Sequence, residues 1–164
     1  MSLSKSLIAE LKSEAAKTRK MLERVPIEKN DWKPHEKSMS LGRLSTHVAE
    51  VTSWVVKTMD APELDFAKEV YKPVVANSTV ELLKIHDDNV AKAIASLETA
   101  SDDEFNNNWT LRNGEQKYFE LPRKVVLRDY SYNHLYHHRG QLSVYLRLLD
   151  VPIPGMYGPT ADER

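Results

Sequence analysis

The chain has 164 residues, 23 Lys and Arg against 24 Asp and Glu, a formal net charge of -1 and no cysteine. That length fits one domain, residues 1–164, with a sizeable core. The charge balance offers no basic excess for nucleic acid and no polybasic run for a membrane surface, and the missing thiols exclude disulfides, cysteine-type zinc sites and catalysis by a protein thiol.

The first residues lead at once into a charged helix (Glu10, Lys12, Glu14). Neither a signal peptide nor a membrane span is read there, and a cytoplasmic location is expected. The helix runs from about Leu3 to Arg24 on a stripe of Leu7, Leu11, Ala15, Thr18 and Leu22, and Pro26 ends it. A polar connection through Trp32, Pro34 and His35 follows. A second helix starts near Ser40, carries Leu41, Leu44, Val48, Val51, Val55 and Met59 on one face, and closes before Pro62. A third starts at Asn77 or Ser78, with Glu81 as a capping-box partner, and is expected to bury Val80, Leu83, Val90, Ile94 and Leu97.

The next stretch reads differently. Trp109 to Arg112, then Asn113-Gly114, then Gln116 to Phe119 predicts a short β-hairpin around a type I′ turn, leaning on the helices. A fourth helix begins at Pro122, runs to about Leu149 and is stopped by Pro152 and Pro154. Four long helices in one small domain predict an all-α four-helix bundle with the hairpin between helices three and four, and the long connections leave room for crossovers.

The fourth helix carries the chemistry. Leu127, Ser131, His134, His138, Leu142, Tyr145 and Leu149 recur at spacings of three or four, so two imidazoles one turn apart face the bundle interior. Buried imidazoles need partners for their nitrogens, and one divalent metal satisfies both; the alternative is a pair of core histidines bonded to carboxylates or water. His47 lies near the core-facing stripe of the second helix, between Leu44 and Val51, and is the candidate third ligand. Three histidines leave an open position, the construction of catalytic rather than structural sites.

The other candidates rank lower. His137 points about 100° away from His138 and reads as a neighbour of the ligands. His35, in a loop, has no partner at ligand spacing. His86 and Asp87 flank the stripe of helix three, and Glu50 follows His47 by one turn; all three are candidate proton shuttles or ligand-orienting groups. Gln141 stands in the same relation to His138. Arg139 reads as pairing with a carboxylate or an anionic substrate, or as an outward salt bridge. Gly140, costly inside a helix, suggests close helix packing or a subunit contact. Trp32, Trp54 and Trp109 are cleft walls or core anchors. The tail Pro152 to Gly158 has the length to fold back over the bundle end.

The run His134-Leu135-Tyr136-His137-His138-Arg139-Gly140-Gln141 and the element Gly42-Arg43-Leu44-Ser45-Thr46-His47 resemble the DinB-like (also called YfiT-like) superfamily, as do Pro34 to Ser40 and the Pro-Gly tail. The resemblance implies an up-down-down-up four-helix bundle, often a homodimer. It also implies a three-histidine divalent metal site at His47, His134 and His138, with zinc or nickel as the metal. Members with assigned activity include thiol-dependent transferases and a mycothiol-dependent isomerase.

Two functions follow. One is a metal-dependent enzyme acting on a small-molecule substrate, a hydrolase or a transferase using a low-molecular-weight thiol, with the metal lowering the pKa of water or thiol. The other is a metal-binding dimerisation or sensor module without chemistry, for which a filled four-ligand shell is expected.

Overall fold

The computed structural model describes residues 2–69 and 71–163. It is mostly helical, with one small sheet. Helix α1 spans Leu3–Leu22 and is capped by Ser2, whose hydroxyl accepts from the Lys5 N–H. It buries Leu7, Leu11, Ala15, Thr18 and Leu22, the stripe its sequence predicts. After a 3-10 turn at Ile27–Lys29, α2 spans Leu41–Glu50 from a Ser40 cap.

The expected single second helix is broken here, and α3 covers Ser53–Met59. Val51 still bonds to the His47 carbonyl, but Trp54 and Val55 bond three residues back, to Val51 and Thr52. The chain tightens by a fraction of a turn just after Glu50. Leu41, Leu44, Val48, Val51, Val55 and Met59 are all buried, so the apolar stripe survives the break.

Helix α4, Thr79–Thr99, has the expected cap. Ser78 Oγ accepts from the Glu81 N–H, and the Glu81 carboxylate accepts from the Asn77 N–H at 2.8 Å. Its buried residues are Leu82, His86, Ala93, Ser96 and Leu97; of the predicted stripe Leu97 is buried, Leu83, Val90 and Ile94 are half-buried, and Val80 is 78% exposed. A polar residue at the centre of the buried face, His86, is what displaced the reading.

The sheet has three strands where two are predicted. Strand β1, Glu63–Asp65, pairs in parallel with β2, Asn108–Asn113, which pairs antiparallel with β3, Gln116–Pro122. Asn113 pairs with Gln116, so Gly114 and Glu115 form the turn. Only Gly114 has positive φ (58°), the type II′ pattern rather than I′. Leu64, Trp109, Leu111 and Val126 form a core under the sheet, with Trp54 and Tyr130 packed against it.

The predicted fourth helix is continuous but not uniform. Helix α5, Arg123–Leu127, passes through a π-helical turn at Arg128–Asn133 into α6, His134–Leu148. The wide turn lets buried Tyr132 donate its hydroxyl hydrogen to the Leu7 carbonyl of α1 at 2.8 Å. Helices α2 and α6 pack against each other, and α4 packs against α1, α2 and α3. The main core joins Leu44, Val48 and Val51 to Leu82, Leu135, Leu142 and Leu146. No helix among the described residues is long and apolar enough to cross a membrane.

Two glycines behave oppositely. A Cβ on Gly42 would sit 2.7 Å from Asn30 Cγ and 2.8 Å from Val75 Cγ1, and Asn30 is fixed by donating to the Ala76 carbonyl at 2.8 Å. A Cβ on Gly140 meets nothing within 4 Å, so close packing within the chain does not explain that glycine. Gly140→Ala is expected to stabilise by about 1 kcal/mol through helix propensity, raising Tm by roughly 2–4 °C. Gly42→Ala gains the same propensity but overpacks, at a cost of about 1–3 kcal/mol, and thermal melts of the two variants should shift in opposite directions.

Candidate metal centre

Helix α2 carries His47, and the start of α6 carries His134 and His138. Their candidate ligand nitrogens all lie within 4.8 Å of one another. The ring centroids form a small triangle: 5.0 Å from His47 to His134, 4.5 Å from His47 to His138 and 4.6 Å from His134 to His138.

Each ring has one nitrogen committed. His134 Nδ1 is 3.2 Å from the Tyr130 carbonyl, which can only accept, so Nδ1 carries the hydrogen. That carbonyl lacks its usual α-helical donor, because at the end of the π turn the His134 backbone N–H goes three residues back, to Ser131. His138 Nδ1 donates to Gln141 Oε1 at 2.8 Å. His47 Nδ1 faces Glu50 Oε1 at 3.3 Å. Arg43 is equally near that nitrogen, but a guanidinium only donates, and the two hydrogens of that terminal nitrogen go to Glu50, at 2.6 Å, and to the Tyr71 hydroxyl. With all three Nδ1 atoms protonated, all three Nε2 atoms are bare.

His47 Nε2 and His134 Nε2 stand 3.2 Å apart. Two bare lone pairs at that distance repel unless an electrophile lies between them. Imidazole nitrogens around a tetrahedral zinc are separated by about 3.3 Å, from bond lengths of about 2.0–2.1 Å. The His47–His134 pair therefore has the spacing of two ligands of one divalent metal, and the His138 nitrogen lies within 4.8 Å of both.

The electrostatics favour neutral ligands. Burial pulls His138 down to about 4, helped by the neighbouring His47, His134 and His137 and opposed by Gln141. Burial also lowers His134, with His47 and His137 adding to it against the Tyr130 carbonyl. Burial alone would raise the Glu50 carboxyl, but hydrogen bonds from His47, Tyr71 and Arg43, with the Arg43 charge, hold it at about 2. Glu50 is thus a fixed carboxylate that orients His47.

The sequence profile of the DinB family matches residues 1–164. The chain belongs to the DinB family. Among solved structures, this DinB protein is similar to a DinB-like protein from Bacillus cereus ATCC 10987, at 20% identity over 91% of this chain and 94% of that one, with a TM-score of 0.71. It is also similar to the DinB-like protein YjoA from Bacillus subtilis, at 17% identity over 97% and 99% of the two chains, with a TM-score of 0.70. Likeness at these identities establishes the fold. No curated protein matches the chain.

Of the side chains singled out in the sequence, the DinB fold brings together His47, His134, His138, Glu50 and Gln141. It does not bring His86 or Asp87 to them. His86 is buried between α1 and α4, donating from Nε2 to the Ala15 carbonyl at 3.1 Å; burial lowers its pKa. Asp87 pairs with Arg19 of α1, with both side chains exposed. His35 accepts from the Lys37 N–H in its own loop. His137 is exposed, its ring 4.9 Å from that of His138.

Two residues were missed. Arg43 and Tyr71 both donate to Glu50, at 2.6 Å each. Arg43 had a signal, standing one turn before His47 on the same face; Tyr71, in a loop, had none.

A cavity of about 470 Å3 opens beside His47 and His134. Trp54 walls it, while Trp32 packs on Tyr145 and Trp109 is a buried anchor donating to the Lys57 carbonyl.

Arg139, beside His138, is neither outward nor exposed. At 3% exposure it donates to Glu14 at 2.6 Å, and to Thr18 at 2.9 Å, on α1. The tail does fold back: Tyr157 accepts from Arg139 and donates to Glu14. Burial raises the Glu14 carboxyl, but bonds from Lys17, Tyr157 and Arg139 and the Arg139 charge outweigh it and lower its pKa. Glu14→Ala strands a buried guanidinium and is expected to cost about 3–5 kcal/mol in denaturant unfolding at neutral pH. Because the folded pKa lies below the unfolded one, the Glu14 contribution is complete above about pH 4.3 and is lost as pH falls through the folded value. The gap between wild type and variant should therefore narrow on acidification.

Proposed function

We propose that this DinB protein holds one divalent metal ion, zinc or nickel, on His47, His134 and His138 and is a metal-dependent enzyme acting on a small molecule in the adjacent cavity. We read its four long helical segments as an up-down-down-up bundle. The observation that carries the metal is the convergence of three bare Nε2 atoms, two of them 3.2 Å apart. Support for chemistry comes from the cavity, which His47 and His134 both line, so that a position beside the ligands faces space rather than protein.

When bound, the ion supplies Lewis acidity that lowers the pKa of a water or a low-molecular-weight thiol, making a nucleophile available near neutral pH. The chain contributes orientation. The Tyr130 carbonyl, Gln141 and Glu50 fix the ring tautomers, and the ionised Glu50 supplies negative charge behind His47. Trp54 and its neighbours exclude water from one side of the site. A chain without cysteine is consistent with hydrolysis or with transfer of a thiol brought in from solution.

Metal analysis of tag-free protein tests this reading. About one divalent ion per chain is expected in wild type and none in His134→Ala. Added metal at about 100 times Kd should stabilise wild type alone by about 2.7 kcal/mol. No uptake after zinc or nickel is offered defeats the reading; uptake into a site that admits no water or thiol identifies a non-catalytic module instead. Glu50→Gln and Gln141→Ala should each weaken metal affinity by roughly 10–100-fold while leaving one ion bound at saturation, a loss measurable by competition with a chromophoric chelator.

A further inference from the structure

We propose that the cavity beside the imidazoles takes a small molecule with an apolar, ring-sized body and one carboxylate-type anionic group, the anion held by Lys57. The proposal rests on the reading of this cavity as the substrate pocket.

A volume of about 470 Å3 is that of a pocket for a small ligand rather than a macromolecule. Its apolar wall is made by Met39, Val51, Trp54, Leu64 and Phe66. Trp54 is the fixed part of it. Behind its ring stand Trp109, at 6.2 Å, and Tyr130, at 5.4 Å, both tied into the core under the sheet. A ring so supported offers a flat apolar face that does not need to rearrange.

The charges on the lining do not balance. Arg43 and Glu50 cancel each other at 2.6 Å. Two lysines remain, Lys57 and Lys72, against one carboxylate, Glu69. Glu69 and Lys72 are exposed at the mouth, whereas Lys57 is half-buried. Among the described residues Lys57 has no carboxylate within 4.0 Å; its ammonium lies 5.6 Å from the Trp54 ring centroid. A lysine whose stem is half-buried against an apolar wall presents its ammonium at the edge of that wall with no carboxylate beside it. A ligand carboxylate supplies the counter-charge with its apolar body laid on Trp54. Trp54 and Lys57 line the same cavity as His47 and His134, and the Trp54 ring also lies 5.4 Å from that of Tyr130, whose carbonyl holds His134. A molecule anchored at Lys57 and stacked on Trp54 thus extends toward the imidazoles.

The test compares 4-phenylbutyrate with its uncharged counterpart 4-phenylbutanol, by calorimetry and tryptophan fluorescence, on the full chain with and without zinc. Without zinc, the acid should bind roughly tenfold more tightly than the alcohol. Lys57→Met should bring the acid to the level of the alcohol and leave the alcohol unchanged, and Lys57→Arg should restore the preference. Equal binding of the two probes, binding of neither, or a preference that persists in Lys57→Met overturns the proposal. So does a preference that appears only after zinc is added, since the anion then goes to the metal. A chain that takes up no zinc yet prefers the acid leaves this proposal standing and defeats the metal reading alone.

Discussion

Two imidazole nitrogens that share no hydrogen, on two helices far apart in sequence, are the constraint around which this DinB protein is organised. His47 Nε2 and His134 Nε2 are held 3.2 Å apart although nothing between them in the chain rewards that approach. What holds them is everything else on α2 and α6: Leu44 and Val48 on one side and Leu135 and Leu142 on the other, all in one core. Burying four such side chains contributes on the order of 6–12 kcal/mol, ample to offset the repulsion of two lone pairs. The Nδ1 commitments to Glu50, the Tyr130 carbonyl and Gln141 then turn a crowded contact into a directed one, since each removes the alternative of one ring donating to another.

The small sheet belongs to the same construction. Its core of Trp109, Leu64 and Leu111 lies under Trp54 and Tyr130, and Phe119 of β3 stacks on Tyr130 at 4.9 Å. Tyr130 presents its ring to the sheet and its carbonyl to His134. The hairpin thereby helps fix an imidazole it does not touch. Tyr130 lies within the π turn at Arg128–Asn133, which is also where Tyr132 reaches back to α1.

Much of this was legible in the sequence because it is local. The stripes of α1 and of the broken second helix follow period 3.6, and His134 and His138 share a face by spacing alone. Glu50 and Gln141 stand three residues from the rings they orient. What was not legible depends on distant partners. The sequence leaves Arg139 open between a carboxylate partner and an outward salt bridge, and only the fold shows that the partner is Glu14, 125 residues earlier, in the interior. His86 reads as flanking α4's apolar face because a buried histidine is indistinguishable in sequence from an exposed one. Strand β1 is three residues long and exists only because β2 is beside it. Tyr71 reaches Glu50 from a loop with no periodicity, and no residue pattern announces a π turn or the 3-10 step at Thr52.

The tail bond between Tyr157 and Glu14 spans 143 residues, Tyr132 binds the Leu7 carbonyl across 125, and the two facing imidazoles are 87 residues apart. Contacts of such long range form slowly and late. On a ribosome, α1 emerges before Arg139 and Tyr157 are made, and His47 emerges 87 residues before the imidazole that faces it. The ligand nitrogens are therefore scattered along a nascent chain, and a site that needs all three exists only once α6 has been made and has packed on α2.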